Sequence, residues 1–560
     1  MESLIHPIFI IQTISILSIL MAIYIGYIRD KVEAFIIFIS SCGSVLYGWF
    51  VFPDAIQNLY SNVTFVRLWI DYIAVEKPAL VHSWEGISSW ACVVFSALTA
   101  WVLLIAFIIM ATDERIIRGT AIKAPNVMLK LLKKMGCPKY PIYIGQYFLP
   151  AKLETRSLAL YGEPGTGKTQ ILMRMIGCFL KRGICFMCVD VGGEMYAKLG
   201  CKDDIILSVS HEEGIKWSPF AEINNGTDFV MVAFSLISVG SGETKTWNSY
   251  ARGYLSVILK WCWKNNKTTN RDLLYFVTMA PRSELENLAD GTPAQRLFDA
   301  GSEKMLSNIQ SIVSQNLSSL ELLDGSAGKT SFSIRKWVKE NEHKGNLWII
   351  YDDVSSVATS PLRTAWLEIM VKESLNLEPD KSRRLYFVLD ELASNGKLEM
   401  LGQAVSRGRK YGVSLLLGIQ NVAQLFSIYG RDEAVSILGS VGNNVVLRSP
   451  DPDTADYLSR AIGEKENERQ QISVTHPSNN KTIQKVQVIN RAVMASEISS
   501  LPDLRGYIKI SGVGWAKIKI PLIKIKTKNE LTEKQIDCFL NLQSEQVVHR
   551  VDKTFTLDEI

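Results

Sequence analysis

The stretch LYGEPGTGKTQILMRMIGCFL, beginning at Leu160, constrains the fold more than any other part of the chain. An apolar lead-in, a glycine-rich turn, a lysine and a threonine precede an amphipathic run, which is typical of a strand, a phosphate-binding loop and a helix. Glycines let backbone N–H groups converge on phosphates, and the helix start favours negative charge. The sequence therefore predicts a nucleotide site formed by Gly162, Glu163, Pro164, Gly165, Thr166, Gly167, Lys168 and Thr169.

A second stretch, RRLYFVLDEL, predicts a strand that delivers Asp390 and Glu391 to its end. In phosphate-loop enzymes the lysine reaches the β- and γ-phosphates, and the threonine hydroxyl binds Mg²⁺. We expect Asp390 to complete the Mg²⁺ shell and Glu391 to orient and deprotonate the attacking water. The predicted cofactors are therefore ATP and Mg²⁺.

Short apolar runs ending at polar residues predict buried parallel strands, and they lie at 157–162, 184–191, 346–352, 384–391, 413–420 and 443–449. With the phosphate loop they predict an α/β fold, a RecA-like P-loop motor domain over 140–216 and 338–525. Lys168 and Asp390 lie further apart in sequence than a compact core requires. We therefore predict an all-α insertion over 217–337, where helical patterns dominate.

One helix of this insertion has basic and aromatic side chains, namely Lys245, Trp247, Tyr250, Arg252, Lys260, Trp261 and Trp263. Basic residues interleaved with aromatic rings can hold a single nucleic-acid strand. A packed helix with tryptophans in its core explains the same pattern and is the favoured interpretation.

Polar residues beyond the Asp-Glu pair are further candidates. Arg407 and Arg409 end a helical segment, and Gln420 follows the next strand. A glutamine there can sense the γ-phosphate or hold water, and an arginine at a subunit edge can reach a neighbour's nucleotide. Solvated polar residues would give the same pattern.

The N-terminal region, 1–115, is apolar in a different way. Two runs, 7–28 and 91–111, have the length of membrane spans, and 35–52 is either a third span or an interfacial segment. The 53–90 loop has few basic residues, whereas many follow the last run: Arg115, Arg118, Lys123, Lys130, Lys133 and Lys134. This predicts a multi-pass anchor with everything after it in the cytoplasm, where ATP is available.

Composition adds little. The formal net charge of +5 neither requires nor excludes nucleic acid. Cys185 and Cys188 form a CxxC, but they lie in an apolar run without a second pair, which indicates a buried strand rather than a metal or redox site.

Together these features resemble the type IV coupling proteins, the TraD and TraG class of inner-membrane ATPases in conjugation and type IV secretion. The resemblance rests on the two apolar spans and on GEPGTGKT, VDVGGE, KWSPF, VLDELASNGKL, GRKYGVSLLLGIQNVAQLFSIYG, NNVVLRSPDPDTADYLSRAIGEKE and SLPDLRGYIKISG. The last two stretches have no explanation in a generic ATPase. The TraD branch is the most similar.

The resemblance implies a homo-oligomeric ring, a hexamer, in the bacterial inner membrane. It would hydrolyse ATP to drive single-stranded DNA with its attached relaxase towards the secretion channel, with Arg409 as arginine finger and Gln420 as γ-phosphate sensor. Long TraD members carry an extended hydrophilic tail for docking relaxosome proteins. Here a short tail, 526–560, is expected and is the one candidate for that contact.

Three other functions compete with that of a coupling protein for DNA transfer. A membrane-anchored AAA+ protease needs an HExxH helix, and HEEGI from His211 lacks the second histidine. A double-stranded DNA pump of the FtsK kind would bring more spans and a winged-helix reader. A coupling protein that exports protein effectors alone is an alternative that the sequence does not exclude.

Overall fold

The described residues of the computed structural model are 116–209, 211, 214–240, 243–323, 332–340, 345–352, 354–475 and 480–523. The predicted spans 7–28, 35–52 and 91–111, and the predicted tail 526–560, lie outside these residues. Among the helices inside them, none combines the length and the apolar character needed to cross a bilayer.

The described strands are, in chain order, β1 (Ile116–Gly119), β2 (Ile122–Lys123), β3 (Ile142–Ile144), β4 (Tyr147–Leu149), β5 (Leu158–Tyr161), β6 (Cys185–Val191), β7 (Ile205–Leu207), β8 (Leu347–Tyr351), β9 (Leu385–Leu389), β10 (Val413–Ile419), β11 (Asn443–Val446), β12 (Glu464–Thr475), β13 (Asn480–Arg491), β14 (Arg505–Ile510) and β15 (Gly514–Lys519). β3 pairs with β4, and β12 lies between β1 and β13 in a three-stranded sheet. The described residues divide into two units, of which the larger comprises those within 118–466 and 489–523 and the smaller includes those within 467–488.

The larger unit contains a ten-stranded sheet of order β2-β15-β14-β11-β5-β10-β9-β6-β8-β7. Neighbours from β11 to β7 run parallel, whereas β14 runs antiparallel to β11 and to β15. The phosphate-loop strand β5 lies beside β10, and β10 lies beside β9. The ends of these three strands therefore meet at one edge, where ligands of open α/β sheets bind.

The helices that accompany this sheet are α1 (Pro125–Lys134), α2 (Lys168–Arg182), α3 (Glu194–Leu199), α10 (Ser356–Leu375), α11 (Leu401–Arg407), α12 (Val422–Tyr429), α13 (Arg431–Ser440), α14 (Pro452–Ile462) and α15 (Ala495–Ser499). Between β7 and β8 the described elements are helical: α4 (Asp228–Leu236), α5 (Glu243–Lys264), α6 (Asn270–Leu274) with a π-helical turn Tyr275–Met279, α7 (Arg282–Ala289), α8 (Glu303–Leu317) and α9 (Ile334–Lys339). The predicted α/β P-loop fold is confirmed.

Alternation along the buried strands gives the sheet two cores. Leu158 and Leu160 of β5 join a cluster with α2, whereas Ala159 and Tyr161 join a cluster on the other face. Tyr254 of α5 lies in that second cluster too. The helices between β7 and β8 thus share one continuous core with the sheet, as side chains that alternate across a pleated strand allow.

A buried carboxylate fastens the two ends of this helical segment together. Glu222 accepts hydrogen bonds from Trp217 Nε1 at 2.8 Å, Ser333 Oγ at 2.9 Å and the backbone N–H of Ile334 at 2.8 Å. The next residue, Arg335, forms ion pairs with Asp228 and Glu373. Several hydrogen bonds to one ionised group compensate for its burial.

Candidate nucleotide site and family comparison

The phosphate loop connects β5 directly to α2. Gly165 and Gly167 have φ angles of 82° and 116°, in the left-handed region that favours glycine. A Cβ atom at Gly167 would lie 2.9 Å from Leu504 Cδ2 and 3.1 Å from Ile520 Cδ1. Gly167 is therefore required both by its backbone conformation and by the closeness of Leu504 and Ile520, and Gly165 by its backbone conformation.

Lys168 is the first residue of α2, and its side chain is buried. Its ammonium group donates a hydrogen bond to the carbonyl oxygen of Gly162, so it folds back over the loop. Burial lowers the pKa of Lys168, and the nearby carboxylates of Glu391, Asp390 and Glu163 oppose this effect. A buried cation beside a helix N-terminus is suited to hold phosphate oxygens.

Asp390 and Glu391 follow β9, as predicted. The Thr169 hydroxyl donates to Asp390 Oδ2 at 3.5 Å. Asp390 Oδ1 and both carboxyl oxygens of Glu391 are buried without a hydrogen-bond partner among the described residues. Carboxylate and hydroxyl oxygens are ligands that Mg²⁺ prefers, so the donor set of Thr169 and Asp390 fits this ion.

Burial raises the pKa of Glu391 to about 7, although Lys168 favours the ionised form. Burial also raises the pKa of Asp390, against the opposing effects of Lys168 and Thr169. Gln420 follows β10, the strand between β5 and β9, and its side chain lies near enough to Glu391 to oppose the rise in pKa. A carboxylate with a pKa near neutrality is suited to accept a proton from water.

A family model described as the type IV secretion-system coupling protein DNA-binding domain matches residues 141–521. The chain belongs to this family. Coupling protein TraD of Escherichia coli (strain K12) is 24% identical over 527 residues, which cover 89% of this chain and 72% of TraD.

Solved structures of another coupling protein, TrwB, give the same result. The unbound TrwBdeltaN70 structure has a TM-score of 0.67 at 30% identity and covers 74% of this chain and 95% of TrwB. TrwB in complex with ADP and Mg²⁺ has a TM-score of 0.66 at 30% identity and covers the same shares.

Arg409, the predicted arginine finger, lies away from this coupling protein's own phosphate loop. It precedes β10, whereas Gln420 follows that strand, and both Arg407 and Arg409 are exposed. Seven strand residues at about 3.3 Å each place the two strand ends roughly 20 Å apart. Arg409 therefore lies at the opposite edge of the sheet, where it faces solvent.

Residues that the sequence reasoning missed support the phosphate loop from outside. The Arg448 guanidinium forms ion pairs with Glu163 of the loop and, at 2.8 Å, with Asp503. The N–H of Leu504, which has a φ of 60°, donates to the Thr166 carbonyl oxygen at 3.1 Å. The signal was present in NNVVLRSPD and SLPDL, which have no generic ATPase role. The sequence alone did not indicate that these two stretches support the phosphate loop.

The basic and aromatic residues of α5 divide between surface and core. Lys245, Tyr250, Lys260 and Trp263 are exposed, whereas Trp247 and Trp261 are half-buried. Arg252 is only 4% exposed and belongs to the interior. Cys185 and Cys188 of the CxxC lie in β6, as the strand interpretation requires, and neither forms a disulfide in the described part of the chain.

Proposed function

We propose that this coupling protein is a Mg²⁺-dependent P-loop ATPase that drives relaxase-bound single-stranded DNA through a type IV secretion channel during conjugation. The convergence of Lys168, Thr169, Asp390 and Glu391 at one sheet edge supports hydrolysis most directly. Family membership supports the transport role. TrwB, which binds ADP with Mg²⁺ and a non-hydrolysable ATP analogue, supports the choice of cofactors.

Each polar group at the sheet edge has a distinct role in this proposal. The backbone N–H groups of Gly165 and Gly167 and the Lys168 ammonium bind the phosphates, with Gly162, Glu163, Pro164 and Thr166 shaping the loop. Thr169 and Asp390 hold Mg²⁺, which when bound supplies positive charge to the phosphate oxygens. Glu391 accepts the proton of the attacking water, and Gln420 senses the γ-phosphate beside it.

Arg409 acts in a neighbouring subunit. Its distance from the local site argues for a ring, which we propose to be a hexamer as in the family at large. An arginine finger supplied in this way raises hydrolysis by about 10³–10⁵-fold. Hydrolysis then depends on contact between subunits, and this dependence allows a ring to coordinate hydrolysis in its successive subunits.

The domain division remains part of the proposal. The motor comprises 140–216 and 338–525, and the all-α insertion 217–337 meets incoming DNA through the exposed Lys245, Tyr250, Lys260 and Trp263. The segment 1–115 anchors the protein in the bacterial inner membrane by spans at 7–28 and 91–111, with 35–52 as a further apolar segment. The ATPase then lies in the cytoplasm, and the tail 526–560 meets relaxosome proteins.

The first test measures ATP hydrolysis by the purified full chain with and without single-stranded DNA. We expect DNA to raise the hydrolysis rate of the wild type. Lys168→Ala should abolish hydrolysis, and Glu391→Gln should lose most of it. Lys134→Ala, an exposed lysine of α1, is the matched control and should behave as wild type. Hydrolysis by Lys168→Ala would refute the assignment of the site, and absence of DNA stimulation would favour export of protein effectors alone.

The second test mixes inactive variants. Arg409→Ala subunits keep an intact phosphate loop, and Lys168→Ala subunits keep the arginine, so mixed rings should recover hydrolysis that neither variant shows alone. Arg407→Ala is the control and should stay active. A mixture as inactive as its components would contradict action between subunits.

A further inference from the structure

Arg252 connects three parts of the molecule although it lies within α5. Its Nε atom donates to the Ile237 carbonyl oxygen at 2.7 Å, beyond the end of α4. Its guanidinium lies 4.4 Å from the Phe234 ring centroid. A terminal nitrogen forms an ion pair with Glu399, whose side chain is 19% exposed. The arginine thus fixes the α4–α5 connection to a residue outside the insertion.

Glu399 belongs to residues 391–409, the stretch that begins at the candidate base Glu391 and ends at the candidate arginine finger Arg409. Glu391 begins this stretch, and its carbonyl oxygen accepts hydrogen bonds from Asn395 Nδ2 at 2.7 Å and Ser394 Oγ at 2.9 Å. Arg409 ends it, two residues after α11. Glu399 therefore lies between the water-activating carboxylate and the arginine finger along the chain.

The remaining polar anchors of this stretch come from the motor itself. Thr364 Oγ1 of α10 donates to the Asn395 carbonyl oxygen at 2.6 Å, and Lys397 pairs with Glu433 of α13 at 2.7 Å. Across the described part of the chain, Arg252–Glu399 is the ion pair that links the insertion to residues 391–409.

The surroundings make this contact sensitive to displacement. Lys372 and Glu368 lie 3.8 Å apart on α10, and the Lys372 ammonium donates to Ser235 Oγ of α4 at 3.3 Å. Two basic and two acidic side chains thus lie together where the insertion meets the motor. Moving Arg252 away would leave Glu399 without its cation in a mostly buried site, which is unfavourable.

We propose that Arg252 is a positioning residue that transmits the state of the insertion, through Glu399, to Glu391 and Arg409. The outward residues of α5, such as Tyr250, contact single-stranded DNA, and Arg252 on its inner side carries the effect to the hydrolytic stretch. This inference rests on the proposed function.

The test compares basal and DNA-stimulated hydrolysis in full-length variants. Glu399→Gln keeps the side-chain shape but removes the negative charge. Arg252→Lys keeps the positive charge but loses the planar guanidinium with its several N–H donors, and Arg252→Met removes both the charge and the donors. Because couplings between sites are typically 5- to 150-fold, we expect DNA stimulation to fall about fivefold or more in each variant. Basal rate and KM for ATP should stay within about twofold, since neither residue touches the nucleotide site.

Two comparisons distinguish a specific effect transmitted through Arg252 and Glu399 from a general loosening of residues 391–409. Glu433→Gln breaks the neighbouring ion pair on the same stretch without touching the insertion, and it should keep full stimulation. The double variant Arg252→Met/Glu399→Gln should be no worse than either single variant, because both changes remove one coupling. Should Arg252→Met fail to fold, as thermal unfolding will report, Glu399→Gln and Arg252→Lys carry the comparison.

Wild-type stimulation in all Arg252 and Glu399 variants would overturn the inference, and so would an equal loss in Glu433→Gln. A wild type that ignores single-stranded DNA would overturn the proposed function and this inference together. The two failures are distinguishable because the second is visible before any variant is made.

Discussion

The pKa of Glu391 predicts how ATP hydrolysis depends on pH. With a pKa of about 7 in the folded protein, against an ordinary value of 4.5, the carboxylate is about one-tenth ionised at pH 6 and about nine-tenths ionised at pH 8. A general base acts only when ionised, so kcat/KM should rise about tenfold between these values. The assay is steady-state hydrolysis at low ATP, because kcat/KM reports the free enzyme.

Excess magnesium keeps ATP in one complexed form, so the change of kcat/KM with pH reflects ionisation of the protein rather than of ATP. Glu391→Gln should lose the pH-dependent rise together with most of its activity, and thermal unfolding should show that the wild type stays folded throughout. A flat kcat/KM profile from pH 6 to 8 would refute the reasoning. It would mean that Glu391 is already ionised in the free enzyme or is not the base.

Three further substitutions test packing and charge. Gly167→Ala forces a Cβ against Leu504 and should cost about 1–3 kcal/mol of unfolding free energy and raise the KM for ATP, whereas Gly177→Ala, a helical glycine with open space, should stabilise by about 0.5–1 kcal/mol. Arg335→Met leaves Asp228 and Glu373 buried without their shared cation and should cost about 3–5 kcal/mol in urea unfolding. For Glu368, burial raises the pKa to about 7 from 4.5, so the folded state binds more protons and the stability of the wild type falls as pH rises through this window. Glu368→Gln should therefore be more stable than wild type at pH 8, by on the order of 2–3 kcal/mol, and equal to it at pH 4.

The strands and the phosphate loop were predictable because each is encoded locally. Continuous apolar runs predicted strands at 384–391 and 413–420, and the structure has β9 and β10 there. Parallel order followed from the same runs, since strands buried on both faces lack polar alternation. The meeting of Lys168 with Asp390 and Glu391 then required only that the ends of adjacent strands share an edge.

Contacts between distant segments were not predictable in this way. Arg448 and Asp503 are ordinary charged residues in the sequence. Arg448 can pair with both Asp503 and Glu163 because β11 and β14 are neighbours in the sheet. The pairing of Arg252 with Glu399 has the same origin. Helical periodicity predicted α5, but the residues adjoining Arg252 gave no sign that this arginine points inward.

The buried Arg252 attaches the insertion to the motor at a point other than the two ends of the insertion. A substrate-binding module attached only at its ends could move without affecting hydrolysis. Here Glu222 fastens the ends, while the core of α5 is continuous with one face of the sheet and an ion pair reaches the stretch between Glu391 and Arg409. Since close-packed interiors transmit strain, we expect a displacement of the insertion to reach the nucleotide site through these contacts.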